Sequence, residues 1–272
     1  MTLALNSNVQ HAIRQSNLVA TPSSNWVPSF AAHATPHSKG NWATLLTTTY
    51  DAYGFWLTPS GTSAAATQTD MLVDVAIGPS QENIIIPEWL CGWRPQTNVA
   101  PISTYFPIFI PKGTLISARI QALITVDTLF LGIFTNEGAS AFPSPLFSGC
   151  DAYGTNIAAS QGTSHTPGDS GAESTAADIG VTTTRPYSAV MLGLGGTLAN
   201  TTMNGLQYHW ELVIGGTTVC EWWAATTTGE QQLGPVPTGP FLVSIPTGTQ
   251  LQVRAECSGT AQAQDVAFYC FY

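Results

Sequence analysis

Apolar and polar positions along this chain alternate in short runs. Thr, Val, Ile and aromatic residues fill the runs, Gly and Pro break them, and no window longer than about a dozen residues holds a helical apolar period. The pattern predicts an all-β chain. Strand-length runs fall at Gly54 to Leu57, Met71 to Ile77, Tyr105 to Ile110, Leu115 to Ala122 and Leu129 to Phe134. A second set falls at Ala189 to Leu194, Tyr208 to Ile214, Phe241 to Ile245, Gln250 to Ala255 and Val266 to Tyr272. Only Val9 to Gln15 reads as a helix.

The two sets resemble each other. Phe106-Pro-Ile-Phe-Ile-Pro-Lys-Gly-Thr-Leu-Ile-Ser-Ala-Arg119 aligns with Phe241-Leu-Val-Ser-Ile-Pro-Thr-Gly-Thr-Gln-Leu-Gln-Val-Arg254, with Phe, Ile, Pro, Gly, Thr and Arg identical. Thr47 to Thr49 corresponds to Thr182 to Thr184, Val73 to Gly78 to Trp210 to Gly215, and Glu88-Trp89 to Glu221-Trp222. The offset stays between 133 and 137 residues throughout, so a single duplication accounts for all four segments. Ile-Pro-x-Gly-Thr is a strand ending in a turn: Pro fixes φ and removes a ladder donor, and Gly permits positive φ. Each copy has the size and strand spacing of a β-sandwich.

The expected organisation is therefore two tandem jelly-roll-like β-sandwiches with an N-terminal arm. The arm spans residues 1–40, the first sandwich 41–135 and the second 181–272. Residues 136–180, rich in Gly, Ser, Ala and Thr, read as a linker or long surface loop.

Composition narrows the function. Only 8% of the 272 residues are charged, with 7 Lys and Arg against 16 Asp and Glu, while 36 are Thr and 21 are Ser. An average soluble domain is about 25% charged, so hydroxyls, amides and backbone must keep this surface wet. Seven scattered cations at net charge −9 cannot track a phosphate backbone, so nucleic acid is not an expected partner. The longest apolar stretch, Ile120 to Phe134, carries Asp127 and falls short of the roughly twenty residues of a helical membrane span. The start lacks the features of a secretory signal, so the chain is expected to be made and used without export. Cys91, Cys150, Cys220, Cys257 and Cys270 are odd in number and form no CxxC pair, which suits free buried thiols.

Candidate chemistry is sparse. His33, Asp74 and Ser170 occur in the order of a chymotrypsin-like triad, and Gly168-Asp-Ser-Gly171 matches the tetrapeptide around its nucleophile. Gly171 is followed by Ala-Glu-Ser-Thr-Ala-Ala-Asp, however, which is not the buried strand that mechanism requires, and the duplication pairs Asp74 with Glu211. The protease reading therefore ranks third. His33 and His37 straddle Pro36 and cannot share a helix face, while His11, His165 and His209 stand alone, so no metal site is expected. Glu88 and Glu221 each precede Trp at equivalent positions, which favours hydrogen-bonded carboxylates over catalytic acids. No glycine loop precedes a helix to cradle phosphate. The expectation is no enzyme and no cofactor. Among the eight Trp, core or interface packing is the commoner role, and Trp26, Trp222 and Trp223 are the candidates for contact with a glycan or partner.

The stretch His37-Ser-Lys-Gly-Asn-Trp-Ala-Thr-Leu45, with Met71 to Gly78, Ile84-Ile-Ile-Pro87 and Ile108 to Ala122, resembles a group of tailed-bacteriophage structural proteins. They share Thr-Lys-Gly-x-Trp, a following apolar strand, and Ile-Pro-x-Gly-Thr-x-Ile-x-x-Arg. The resemblance covers residues 20 to 135, with a degenerate second copy. Ser38 stands where Thr is usual, and the second copy lacks the Lys-Gly-Trp opening. The resemblance implies a virion component, expected as a capsid decoration (cement) protein that binds the major capsid protein on the shell's outer face and stabilises it. It would be assembled in the host cytoplasm. Charge depletion with aromatic enrichment, the mark of interface cores, suits self-association, expected as a homotrimer. The alternative is a receptor-binding or glycan-binding fibre or tail module that holds host surface glycan.

Overall fold

A computed structural model describes residues 14–15, 29–62, 69–93, 103–125, 127–137, 146–195, 206–225 and 240–272. The first half holds β1 (Arg14–Gln15), β2 (Ser29–Ala31), β3 (Ala43–Thr47), β4 (Ala52–Thr62), β5 (Thr69–Ile77), β6 (Asn83–Trp93), β7 (Thr104–Ile110), β8 (Leu115–Ala122) and β9 (Thr128–Glu137). The second half holds β10 (Cys150–Tyr153), β11 (Thr163–His165), β12 (Ala177–Asp178), β13 (Tyr187–Leu194), β14 (Gln207–Ile214), β15 (Thr217–Ala225), β16 (Phe241–Ile245), β17 (Gln252–Cys257) and β18 (Gln264–Phe271).

These strands form four antiparallel sheets. Sheet A runs β1-β9-β4-β7, with β2 also on β9, and faces sheet B, β3-β8-β5-β6. Sheet C runs β10-β18-β13-β16, with β11 also on β18, and faces sheet D, β12-β17-β14-β15. Adding nine to each strand number in sheets A and B reproduces the order of C and D. From β2 and from β11 onward, successive strands cross between the two facing sheets except at the hairpins β5–β6 and β14–β15, the wrapping of a jelly roll. The chain is thus all-β, with the sandwich architecture expected from its pattern.

The repeated Ile-Pro-x-Gly-Thr turn shows why the duplication survived in sequence. In the first copy Thr48 Oγ1 donates to the Pro111 carbonyl at 2.7 Å, and Thr114 N donates to Thr48 Oγ1 at 2.9 Å. In the second, Thr183 Oγ1 donates to the Pro246 carbonyl at 2.7 Å, and Thr249 N to Thr183 Oγ1 at 2.9 Å. Gly113 and Gly248 share φ of 77°, a left-handed conformation that costs a Cβ-bearing residue about 1–2 kcal/mol. The Thr, Pro, Gly and Thr of each copy form one clamp at the turn where the chain crosses from one facing sheet to the other, β7 to β8 and β16 to β17.

Burial follows from which faces are covered. β17 alternates, with Val253, Ala255 and Cys257 buried and Gln252, Arg254 and Glu256 half-buried, as a strand with one solvated face should. β18 is buried at every position. Its Val266, Phe268 and Cys270 join the core between sheets C and D, while Ala267, Tyr269 and Phe271 join the core of the first sandwich. Sheet C is therefore covered on both faces, and the two sandwiches share it.

Two segments differ from the pattern-based reading. Arg14 and Gln15, expected in a helix, pair antiparallel with Thr135 and Phe134 as a strand on the edge of sheet A; the rest of Val9 to Gln15 lies outside the described residues. Within 136–180, β10 and β11 pair with β18, and β12 pairs with β17. Their runs of two to four residues are too short to show a period, and pairing with a long neighbour makes them strands. All five cysteines are free and buried.

Candidate functional site

The outward faces of sheets B and D carry the charged residues that the duplication aligns. On sheet B, Arg119 Nε donates to Asp74 Oδ2 at 2.8 Å across neighbouring strands, and Lys39 Nζ lies 2.9 Å from Asp74 and 3.3 Å from Glu88. Glu88, at φ 51°, donates its amide to Asp74 Oδ1 at 2.9 Å. The Arg119 guanidinium lies 4.3 Å from the Trp42 ring centroid. A Cβ on Gly40 would press on the carbonyls of Ala31 and Ile120 at 3.0 and 3.1 Å. Lys39, Gly40 and Trp42 thus fix their loop onto the sheet, and segment 155–160 covers it further through Thr155 on Glu88 and Ser160 on His37.

Sheet D repeats the central pair. Arg254 Nε donates to Glu211 Oε2 at 2.9 Å, Thr218 Oγ1 donates to the same oxygen at 2.5 Å, and Arg254 also reaches Glu173 at 3.1 Å. Burial alone would push the Glu211 carboxyl up. Hydrogen bonds from Thr218 and Arg254, with the charges of Arg254 and His209, instead hold it below the usual carboxylate range.

Beside this pair sits an open aromatic platform. His209 and Trp223 are cross-strand neighbours on β14 and β15 whose rings stack at 4.3 Å and 13°. The His209 ring nitrogens lie 3.3 Å from Glu221 and 3.5 Å from Glu256. Trp223 is 60% exposed, whereas Trp222 is 2% exposed and packs inward against Phe241 and Phe268. Trp222 is thereby removed from the expected contact residues, since strand parity turns it into the core opposite Trp210. Trp26 lies outside the described residues.

The protease order is not assembled. His33 Nδ1 accepts from the Thr35 amide at 3.0 Å, Asp74 holds Arg119 and Lys39, and Ser170 lies exposed in a turn at φ 55°. His165 bonds Ser174 at 2.8 Å, and burial pushes its pKa down. Among the described residues no three His, Cys, Asp or Glu are placed to hold a metal. Nor is any described helix long and apolar enough to cross a membrane. The groove lined by Phe30, His33, Asn41 and Trp42 carries no acidic residue.

One ionisable pair escaped the sequence reading. Asp70 on β5 and Asp265 on β18 are buried and hydrogen-bonded to each other where the two sandwiches meet. Two carboxyl groups can share a hydrogen bond only by sharing a proton. Burial first, and then that bond and the Asp70 charge, push the Asp265 carboxyl up to about 9. The neighbouring Cys91 thiol is pushed up by burial and by Asp70. Gly195 makes the space, since a Cβ there would collide with the Asp70 carboxylate and stand 3.1 Å from Asp265 Cβ. The available signal was positional: each Asp immediately precedes an apolar run, at Met71 and at Val266.

What the fold and this surface define is a double jelly roll whose aligned charges serve the sandwiches themselves. No family model matches the sequence, and no curated protein does. Among solved structures, PNGF-II in a P21 and in a C2 crystal overlaps 96% of this chain with TM-scores of 0.38 and 0.39 at 8% identity. This chain covers 65% of that chain's length, under two thirds of it. The jelly-roll assignment rests on strand order, independently of that overlap.

Proposed function

We propose that the protein acts by contact rather than catalysis, as a self-associating decoration protein on the outer face of a bacteriophage capsid, bound to the major capsid protein. The observation that carries this reading is a division of labour on the surface. Asp74, Arg119, Glu211 and Arg254 are engaged within the sandwiches, whereas large apolar side chains stand open on β15 and β16. A side chain engaged in holding a sheet is not poised for chemistry, and open apolar area favours a protein partner. The phage-like motif residues Lys39, Gly40, Trp42, Pro111, Gly113 and Arg119 hold loops and turns, so they support the resemblance at the level of fold. The test is copy number in purified particles. Hundreds of copies per virion are expected; a handful would move the protein to a tail or fibre, and absence from particles would end the reading.

A glycan-binding module is the second reading, favoured by the Trp223 platform. A flat exposed indole beside Glu221, Glu256 and His209 offers a stacking face with hydrogen-bonding partners for sugar hydroxyls. Binding of the purified chain to host polysaccharide, lost in Trp223→Ala and kept in Val219→Ala, would support it. No binding above background would remove it.

A further inference from the structure

The two copies fill the same positions on the outward faces of sheets B and D differently. On sheet B, Glu88 sits beside the cross-strand pair Asp74–Arg119, and the next row is Leu90, Leu72 and Gln121. On sheet D the corresponding rows are Glu221, Glu211 and Arg254, then Trp223, His209 and Glu256. Leu90, Leu72 and Gln121 are buried because other parts of the chain lie over them. Gln121 Nε2 donates to the Ile157 carbonyl and to Ser160 Oγ. The Tyr269 hydroxyl accepts from Leu90 N at 2.5 Å and donates to the Glu88 carbonyl at 3.1 Å, occupying the free edge of β6. On sheet D the same place is open: Trp223 is 60% exposed and the Glu221 side chain 58%.

Charge separates the copies as well. Sheet B sets Lys39 and Arg119 against Asp74 and Glu88. The position of Lys39 can be followed into the second copy through strand pairing. Ala43 pairs with Ala118, and Ala177 pairs with Val253, 135 residues after Ala118. Four residues ahead of Ala43 and Ala177 stand Lys39 and Glu173. A glutamate thus replaces the lysine, and Arg254 serves both Glu173 and Glu211. Among the described residues neither Glu221 nor Glu256 has a Lys or Arg partner; each meets the His209 ring, at 3.3 and 3.5 Å.

The first copy shows what an indole beside a carboxylate can hold. The Arg119 guanidinium is bonded to Asp74 and lies 4.3 Å from the Trp42 ring centroid, so the cation has an aromatic face below it and an acid at its edge. On sheet D, Trp223 and Glu221 stand two residues apart on one face of β15. His209 stacks on one side of the indole and leaves the other open, while Glu256 adds negative charge beyond the imidazole. Cations within the chain are already engaged: Lys39, Arg119, Arg185 and Arg254 hold carboxylates, and Lys112 Nζ lies 5.9 Å from the Tyr50 ring centroid. A second copy brings the same engaged side chains, so charge complementarity points to a different protein.

We propose that Trp223 and Glu221, supported by Glu256, form a docking point for an arginine side chain of a partner protein. The guanidinium lies on the open face of the indole and bonds the Glu221 carboxylate, repeating between chains what Arg119, Trp42 and Asp74 do within one. The inference rests on the contact reading above and gives its partner a chemistry: a basic side chain presented to an acidic, aromatic face.

The test titrates the full chain with acetyl-arginine-amide, using acetyl-citrulline-amide as the uncharged counterpart. The readout is the indole N–H resonance of Trp223, identified by its loss in Trp223→Phe. The arginine probe is expected to shift this signal with a dissociation constant on the order of 10 mM, and the citrulline probe to leave it in place. Glu221→Gln should weaken binding about fivefold, and about 0.5 M salt should weaken it too. Glu82→Gln, which removes an exposed acid from the first sandwich, should change nothing. An equal response to citrulline, or unchanged affinity in Glu221→Gln, would overturn recognition of charge. A response to host polysaccharide with none to arginine would make this a glycan site, and tighter binding of choline would make it a site for a free ammonium ligand; either overturns the proposal. Concentration-dependent self-association lost in Trp223→Ala would put a second copy there and overturn it as well. A failed titration removes the arginine site and leaves copy number in particles untouched, whereas absence from particles removes the capsid partner and leaves the titration intact.

Discussion

The carboxyl group of Asp265, in the second sandwich, is hydrogen-bonded to that of Asp70, in the first. Its pKa is raised to about 9 in the folded protein, against about 3.9 for an unfolded Asp. Between those values the native state holds the extra proton, so this pair's contribution is complete below about pH 4 and is lost as pH rises towards 9. Asp265→Asn keeps a hydrogen-bond donor and cannot ionise. Its thermal midpoint should exceed that of wild type at pH 8.5 and approach it at pH 5. Parallel pH profiles for the two proteins would show that the pair does not share a proton.

Arg254→Met should destabilise more than Arg119→Met. Without Arg254, Glu211 keeps the Thr218 hydroxyl and the His209 ring at 3.8 Å, whereas without Arg119, Asp74 keeps the Lys39 ammonium at 2.9 Å and the Glu88 amide. Leaving a buried carboxylate with weak support costs about 3 kcal/mol. The partial exposure of Arg254 and Arg119 reduces that figure, so about 2 kcal/mol is expected for Arg254→Met and about half as much for Arg119→Met. Urea unfolding measures both, and equal losses would refute the ranking. The depressed pKa of Glu211 has the opposite sign to that of Asp265: its contribution is present above the unfolded carboxylate pKa and fades as pH falls through the folded one.

Adjacent tryptophans should behave as opposites. Trp222→Ala removes a buried ring between Phe241 and Phe268 and should cost about 3–5 kcal/mol. Trp223→Ala should change stability by about 0.5 kcal/mol or less, so any loss of binding or assembly it causes can be read without unfolding. A large drop in the denaturation midpoint of the Trp223 variant would contradict its exposed placement.

Tyr269→Phe should uncouple the two sandwiches locally. The change leaves the Leu90 amide and the Glu88 carbonyl without their shared hydroxyl, at a cost of about 1–3 kcal/mol. Hydrogen exchange at Leu90 should quicken by more than at Val73, which lies in the neighbouring strand β5. Unchanged protection at Leu90 would mean that the hydroxyl does not guard this edge.

Much of this architecture could be read from the residues before the structure. The duplication was visible because its sequence signature is also its bonding: Thr48, Pro111, Gly113 and Thr114 recur as Thr183, Pro246, Gly248 and Thr249, each needed for the same clamp. The pairing of Asp74 with Glu211 by offset likewise anticipated two carboxylates facing two arginines. Strand parity could have separated Trp222 from Trp223, since Trp222 aligns with the buried Trp89. The Asp70–Asp265 pair was hidden because its members are distant in sequence and lie outside the repeated segments. β10 to β12 were hidden because edge pairing, not local periodicity, makes them strands.

The Tyr269 hydroxyl that occupies the edge of β6 lies 179 residues downstream of Leu90. On the ribosome the first sandwich therefore emerges with an unguarded edge strand and waits for nearly the whole of the second before that edge is capped. During that interval it can pair with any nascent neighbour. Truncations that end before β18 should accordingly aggregate through β6 even though every strand of sheets A and B is present.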